Sequence, residues 1–145
     1  MISRILYPTD FSEHARKCLQ FLLRMKDCGV QEIVLLHVID DAVIRSTLEV
    51  FDGTIDLDRV VEESRREAER RLGELSGELK RAGLNVRQIV REGVPFSTIM
   101  KVADEVDATL VLIGHKGHNP AEELLLGSVA EKVARKCKRP VLLVR

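Results

Sequence analysis

Five short apolar runs punctuate the chain, at residues 4–8 (RILYP), 32–39 (EIVLLHVI), 85–90 (NVRQIV), 109–114 (TLVLIG) and 140–144 (PVLLV). Four are nearly all apolar and rich in Val, Ile and Leu, as strands covered on both faces should be. The run at 85–90 alternates Val86, Gln88 and Val90 with Arg87 and Ile89, which predicts a partly exposed edge strand. Between the runs, apolar residues recur at three- and four-residue spacing, the mark of helices with one buried stripe. The stripes are Ala15, Cys18, Leu19, Leu22 and Leu23, then Val61, Ser64, Ala68, Leu72, Leu75, Leu79 and Ala82, with Gly83 as a stop. A third, Ile99, Val102, Ala103 and Val106, follows Pro95. The fourth, Val129, Val133, Ala134 and Cys137, ends before Pro140 with Arg135, Lys136 and Lys138 in its last turn.

Strands alternating with helices predict right-handed crossovers and a parallel sheet covered on both faces. The expected fold is α/β: one three-layer, doubly wound α/β/α domain over residues 1–145 with a five-stranded parallel sheet. Residues 40–58 lack a clear period and read as an irregular lid or partner-binding insertion.

Composition narrows the function classes. Lys plus Arg (23) balances Asp plus Glu (23), so no broad basic field for nucleic acid or anionic membrane is expected. With no Trp and one Tyr, Tyr7, stacking platforms for single-stranded nucleic acid are not indicated. Cys18, Cys28 and Cys137 form no CxxC and suggest neither a disulfide framework nor a zinc site. The opening Met1-Ile2-Ser3-Arg4 has no signal-peptide pattern and the apolar runs are too short to span a membrane, which predicts a reducing, cytoplasmic setting.

In doubly wound sheets ligands bind beyond the carboxyl ends of the strands, where chain order reverses. If the first and fourth strands are neighbours there, Asp10, Val38 and Gly114 converge on one crevice. Gly114 and Gly117 permit positive φ and close approach of backbone amides to an anion. Gly127-Ser128 opens the last helix, whose first amides are free at the positive end of its dipole. That is the layout of a phosphate site. Ser128 and Glu131 also read as a capping box that would satisfy the same amides internally. Neither G-x-x-x-x-G-K-[ST] nor a G-x-G-x-x-G after the first strand is present, so conventional P-loop ATPase and NAD readings lose their support.

Gly114-x2-Gly117-x9-Gly127-Ser128, together with ILYPTDFSEHA, VLLHVID, REGVPFSTIMKVADEVDATLVLIG and GSVAEKVARKCKRPVLLVR, resembles the universal stress protein family over essentially the whole chain. The resemblance implies a Rossmann-like, adenine nucleotide alpha hydrolase-like fold with strand order 3-2-1-4-5. It also implies an adenine nucleotide, usually ATP, with AMP or ADP as other occupants and Mg²⁺ a common companion. By matched position, Asp10 would meet the ribose or adenine edge, with Pro8 and Thr9 shaping the floor and Val38 against the adenine. Ile113 and Gly114 would lie near the ribose, and Gly117, Gly127, Ser128 and Val129 would hold the phosphates. A homodimer through the last strand, residues 141–144, is the family's usual assembly. Where many members read G-S-H-G, this chain has Gly114-His115-Lys116-Gly117. Lys116 reads either as a phosphate partner or as solvent-exposed; His115 and His118 read as phosphate neighbours or as polar loop residues. Asp40 and Asp41 read as outer partners of Mg²⁺ or as an acidic strand end.

No residue for orienting an attacking water is recognisable, so no catalytic residue is assigned. The first expectation is an ATP-binding regulatory switch in stress response, acting on an unidentified protein partner. The alternatives are a weak or partner-activated ATPase or phosphotransferase, in which Ser128 could be a phosphate acceptor, and a dimeric interaction module without nucleotide.

Overall fold

A computed structural model describes residues 2–12, 14–51, 54, 56–115 and 128–145, with backbone alone for His14, Ala15 and Ser128. The elements run β1 (Arg4–Pro8), α1 (His14–Arg24), a 3₁₀ turn (Met25–Cys28), β2 (Glu32–Asp40), α2 (Asp41–Phe51), α3 (Leu57–Arg81), β3 (Val86–Gly93), α4 (Pro95–Glu105), β4 (Leu110–Gly114), α5 (Ser128–Lys136) and β5 (Val141–Val144). The strands form a parallel sheet in the order β3-β2-β1-β4-β5. This is the expected order, and it puts the reversal of strand order between β1 and β4.

Alternation along the strands builds the layers. Ile5, Tyr7, Ile33, Leu35, Leu110 and Leu112 point to one face, where they pack with Cys18, Leu19 and Leu22 of α1 and Leu72 and Leu79 of α3. Leu6, Val34, Leu36, Val111 and Ile113 point to the other, against Ile99, Val102 and Ala103 of α4 and Ala130 and Val133 of α5. Each fully buried leucine contributes about 1.5–3 kcal/mol, so the periodic positions of the sequence carry most of the fold. The covering helices also begin and end where their boundary residues dictate. Asp56 accepts from the amides of Asp58 (3.1 Å) and Arg59 (3.5 Å) to open α3. Gly83, at φ +92, closes it, its amide reaching the Lys80 carbonyl at 2.9 Å.

The amino ends of the strands are fastened by polar contacts. The amides of Ser3 and Arg4 donate to Thr109 Oγ1 at 3.0 and 2.9 Å, and that hydroxyl donates to the Arg4 carbonyl at 2.9 Å. Glu32 pairs with Arg4 at 3.1 Å and Arg87 at 2.8 Å, linking β1, β2 and β3. Each pair is partly exposed and contributes little alone. Together they favour a firm amino edge, opposite the edge where a ligand would bind.

Two expectations are corrected. Within the span read as an irregular insertion, residues 41–51 form an extra helix, α2, and α3 starts at Leu57. Its apolar residues escaped the helical pattern because α2 buries none of them. The third strand extends to Gly93, with Arg91 and Glu92 still in register against Val38 and Ile39. Its charged residues are compatible with a strand because they pair outward, Arg91 with Glu105 at 2.8 Å and Glu92 with Arg65 at 3.2 Å. The three cysteines are free thiols, Cys18 buried and Cys28 exposed. Among the described residues, no helix is long and apolar enough to cross a membrane.

Candidate functional site

Beyond the carboxyl ends of β1, β2 and β4 lies a cleft of about 320 Å³, near the lower end of the roughly 300–1,000 Å³ of small-molecule sites. β2 contributes Leu36, Val38 and Asp40, three successive positions on one face of a strand. β1 and its loop contribute Tyr7, Pro8, Thr9, Asp10 and Ser12, and β4 contributes Ile113 and Gly114. Pro95 and Ile99 of α4, Val129 and Ala130 of α5, Val43 of α2 and Cys18 of α1 complete it. A larger hollow of about 540 Å³ between α1 and α3 is a weaker candidate, because its Arg70 is already held by Glu67 and Glu74, both at 2.7 Å.

The loop after β1 is shaped by its own side chains. Thr9 continues the sheet, its amide donating to the Leu36 carbonyl at 2.8 Å. Thr9 Oγ1 then accepts from the Phe11 amide at 3.1 Å, and Asp10 Oδ1 from the Ser12 amide at 3.0 Å. These consecutive side-chain turns bend the chain tightly, and Phe11 sits at φ +63. Its ring is stacked on His37 with centroids 4.6 Å apart and lies 5.3 Å from the Arg71 guanidinium. His37 Nδ1 donates to the Thr9 carbonyl at 2.8 Å. His37 and Val38 point to opposite faces, so one braces the loop while the other faces the cleft.

Electrostatics divide the cleft. The carboxylates of Asp10 and Asp40 stand on its rim, and Asp40 Oδ1 accepts from the Ala42 amide at 2.9 Å. That bond gives Asp40 a cap role at the start of α2. Deeper in, burial pushes the Tyr7 hydroxyl far above its ordinary range, with the neighbouring Cys18 adding to the effect. Burial likewise raises the Cys18 thiol, partly offset by its hydrogen bond with Tyr7. Both stay neutral at pH 7, so the floor offers hydrogen-bonding groups without charge. Among the described residues, no group of three or more His, Cys, Asp or Glu could hold a metal ion.

Of the residues singled out in the sequence, Pro8, Thr9, Asp10, Val38, Ile113, Gly114 and Val129 line this cleft. Ser128 is the first residue of α5, next to Val129. Gly117 and Gly127 lie outside the described residues, as do Lys116 and His118. His115, read as a phosphate neighbour or a polar loop residue, is 7 % exposed, its amide donating to the Val144 carbonyl at 2.7 Å and prolonging the pairing of β4 with β5. Glu131, the acid of the capping-box reading, pairs with Arg135 at 2.8 Å. Sequence reasoning missed Leu36, which the two-residue spacing from Val38 would have found. Val43, Pro95 and Ile99 carried no local signal, since only the packing of α2 and α4 brings them to the strand ends.

The Universal stress protein family model matches residues 1–145. Universal stress protein MJ0577 of Methanocaldococcus jannaschii is 36% identical over 100% of this chain and 96% of its own length. A solved structure of MJ0577 superposes with a TM-score of 0.85 at 35% identity, covering 99% of this chain and 96% of that one. More distant structures share the fold. A universal stress protein of Archaeoglobus fulgidus in complex with dAMP has a TM-score of 0.67 at 24% identity, covering 100% of both chains. A universal stress protein in complex with cAMP has a TM-score of 0.70 at 22% identity, covering 99% of this chain and 97% of its own. With the family's model matched from end to end and its sheet order reproduced, this chain belongs to the universal stress protein family.

Proposed function

We propose that this chain binds an adenine nucleotide, ATP foremost, in the cleft beyond β1 and β4 and acts as a nucleotide-dependent regulatory module. One observation carries the reading: Asp10, Val38, Ile113, Gly114 and Val129, far apart in sequence, line a single apolar hollow with carboxylates on its rim. The apolar walls suit a base, and the rim carboxylates suit its amino group or the ribose hydroxyls. The phosphates then run toward the first turn of α5, where free amides and the helix dipole favour an anion. Gly117, Gly127 and Ser128 are assigned to that end by their place in the family's motif. AMP-type nucleotides, which two proteins of the same fold hold as dAMP and cAMP, are the ligand class this reading names.

Mg²⁺, where it accompanies the nucleotide, would neutralise phosphate charge; of the two acids expected to serve it through water, Asp40 lines the cleft and Asp41 begins α2. No residue is assigned to activating water, so the module works by occupancy rather than rapid turnover. The partly exposed outer strand β5, with Leu143 39% exposed, is assigned to pairing with a second copy. Calorimetric titration of ATP tests the central assignment. Wild-type protein binds, and Gly127→Val weakens binding about tenfold or more by displacing at least one charge-assisted amide contact. Equal affinity in the two proteins would overturn the phosphate assignment.

A further inference from the structure

We infer that Val43, carried on α2, forms the outer wall of the base subsite and supplies an apolar contact that holds a planar heteroaromatic base. The inference rests on the nucleotide reading above and adds a residue and an element to it. Helix α2 has eleven residues and buries none of them. An exposed valine is ordinary by itself; Val43, however, is 63% exposed and also lines the cleft. A group entering the cleft therefore meets apolar surface that is still in water.

The start of α2 is tied to the sheet. Asp40 pairs in register with Gly93, and its carboxylate accepts from the Ala42 amide at 2.9 Å. No loop separates β2 from α2, so Val43 follows this cap within the first turn. Further along, the hydroxyls of Ser46 and Thr47 turn back onto the carbonyls of Ala42 and Val43, both at 2.9 Å. The helix is thus pinned at one end and little anchored by burial elsewhere, the condition for an element that tightens when its apolar face gains a partner.

Charge decides which part of a ligand reaches Val43. Asp10 and Asp40 share this rim, so a phosphate is repelled from it, whereas amino and hydroxyl donors are attracted. Val38, Pro95 and Ile99 supply the other apolar walls. A flat ring with polar edges satisfies both features: its faces take the valine, proline and isoleucine surfaces, and its edge and sugar take the carboxylates. A bound base then removes Val43 from water, and α2 gains the buried contact it lacks.

The test is calorimetry with adenosine and with ATP on wild-type, Val43→Ser and Val43→Ile proteins, paired with hydrogen exchange of α2 amides. Val43 is exposed, so neither variant perturbs the core. Val43→Ser is expected to weaken adenosine and ATP by the same factor, about tenfold from the lost apolar contact, while Val43→Ile retains both affinities. Adenosine is expected to slow exchange across residues 41–51 in wild type, and less so in Val43→Ser. Wild-type binding with an unchanged Val43→Ser affinity and no protection of α2 would overturn the role of Val43 while leaving the nucleotide site standing. Failure of wild type to bind either ligand would overturn both.

Discussion

Gly93→Ala is the most instructive single perturbation of this fold. Gly93 closes β3 opposite Asp40 on the cleft rim and is separated from Pro95, the first residue of α4, by one residue. It adopts φ +150, which an L side chain rarely takes, and an added Cβ would lie 2.6 Å from Thr98 Oγ1. The dihedral contributes about 2 kcal/mol of strain. The contact is relieved by turning Thr98, a short side chain, at about 1 kcal/mol. The expected destabilisation is about 3 kcal/mol, a large part of the roughly 5–15 kcal/mol that holds a typical domain, with a fall in Tm of roughly 10 °C. Urea unfolding of wild type, Gly93→Ala, Thr98→Ala and the double variant separates the two effects. The steric part appears as a coupling of about 1 kcal/mol between the sites, and the dihedral part survives in the double variant. A Gly93→Ala loss below about 0.5 kcal/mol would refute the reasoning, because both contributions would then be absent.

Three further outcomes follow from the same structure. Asp10→Ala is expected to weaken adenosine and ATP alike, by about tenfold, through loss of a charged hydrogen-bond acceptor at the nucleoside end; calorimetry showing intact adenosine affinity would remove Asp10 from that role. Ser76 is 1% exposed in α3 and its Oγ has no hydrogen-bond partner among the described residues, so Ser76→Ala is expected to stabilise by about 1 kcal/mol, read as a higher urea midpoint. Tyr7 and Cys18 hold their protons more tightly in the folded state than their ordinary values of 10.0 and 9.0. Their contribution is therefore complete below pH 9 and lost as pH rises through 9 and 10, since the unfolded chain releases protons that the folded one keeps. A urea midpoint that fails to fall between pH 8 and pH 10.5, or whose fall is the same in Tyr7→Phe, would contradict this.

The parts of the fold legible in sequence are those where burial leaves a period. The runs at β1, β2 and β4 are apolar because both of their faces are covered, and Leu72 and Leu79 keep helical spacing because α3 buries one stripe. Helix α2 left no such trace, since Val43, Val50 and Phe51 are exposed at 63%, 75% and 49%. The end of β3 was hidden for a related reason: Arg91 and Glu92 satisfy their charges outside the sheet, so composition there does not report strand geometry. At the cleft, residues at strand ends could be gathered from topology, as Asp10, Val38 and Gly114 were. Tyr7 and Cys18 could not, because their contribution comes from packing between β1 and α1 below the loop. His115 looked like part of a polar loop because a histidine between glycines carries no signal of burial; its backbone pairing with Val144 is tertiary information.

Titration of ¹⁵N-labelled protein with ATP, followed by amide chemical shifts, tests the central claim most directly. Saturable shifts concentrated at Thr9, Asp10, Val38, Gly114 and Val129 are expected, with residues on the outer face of α3 unmoved. Shifts centred on α1 and α3, or none at saturating ATP, would contradict it.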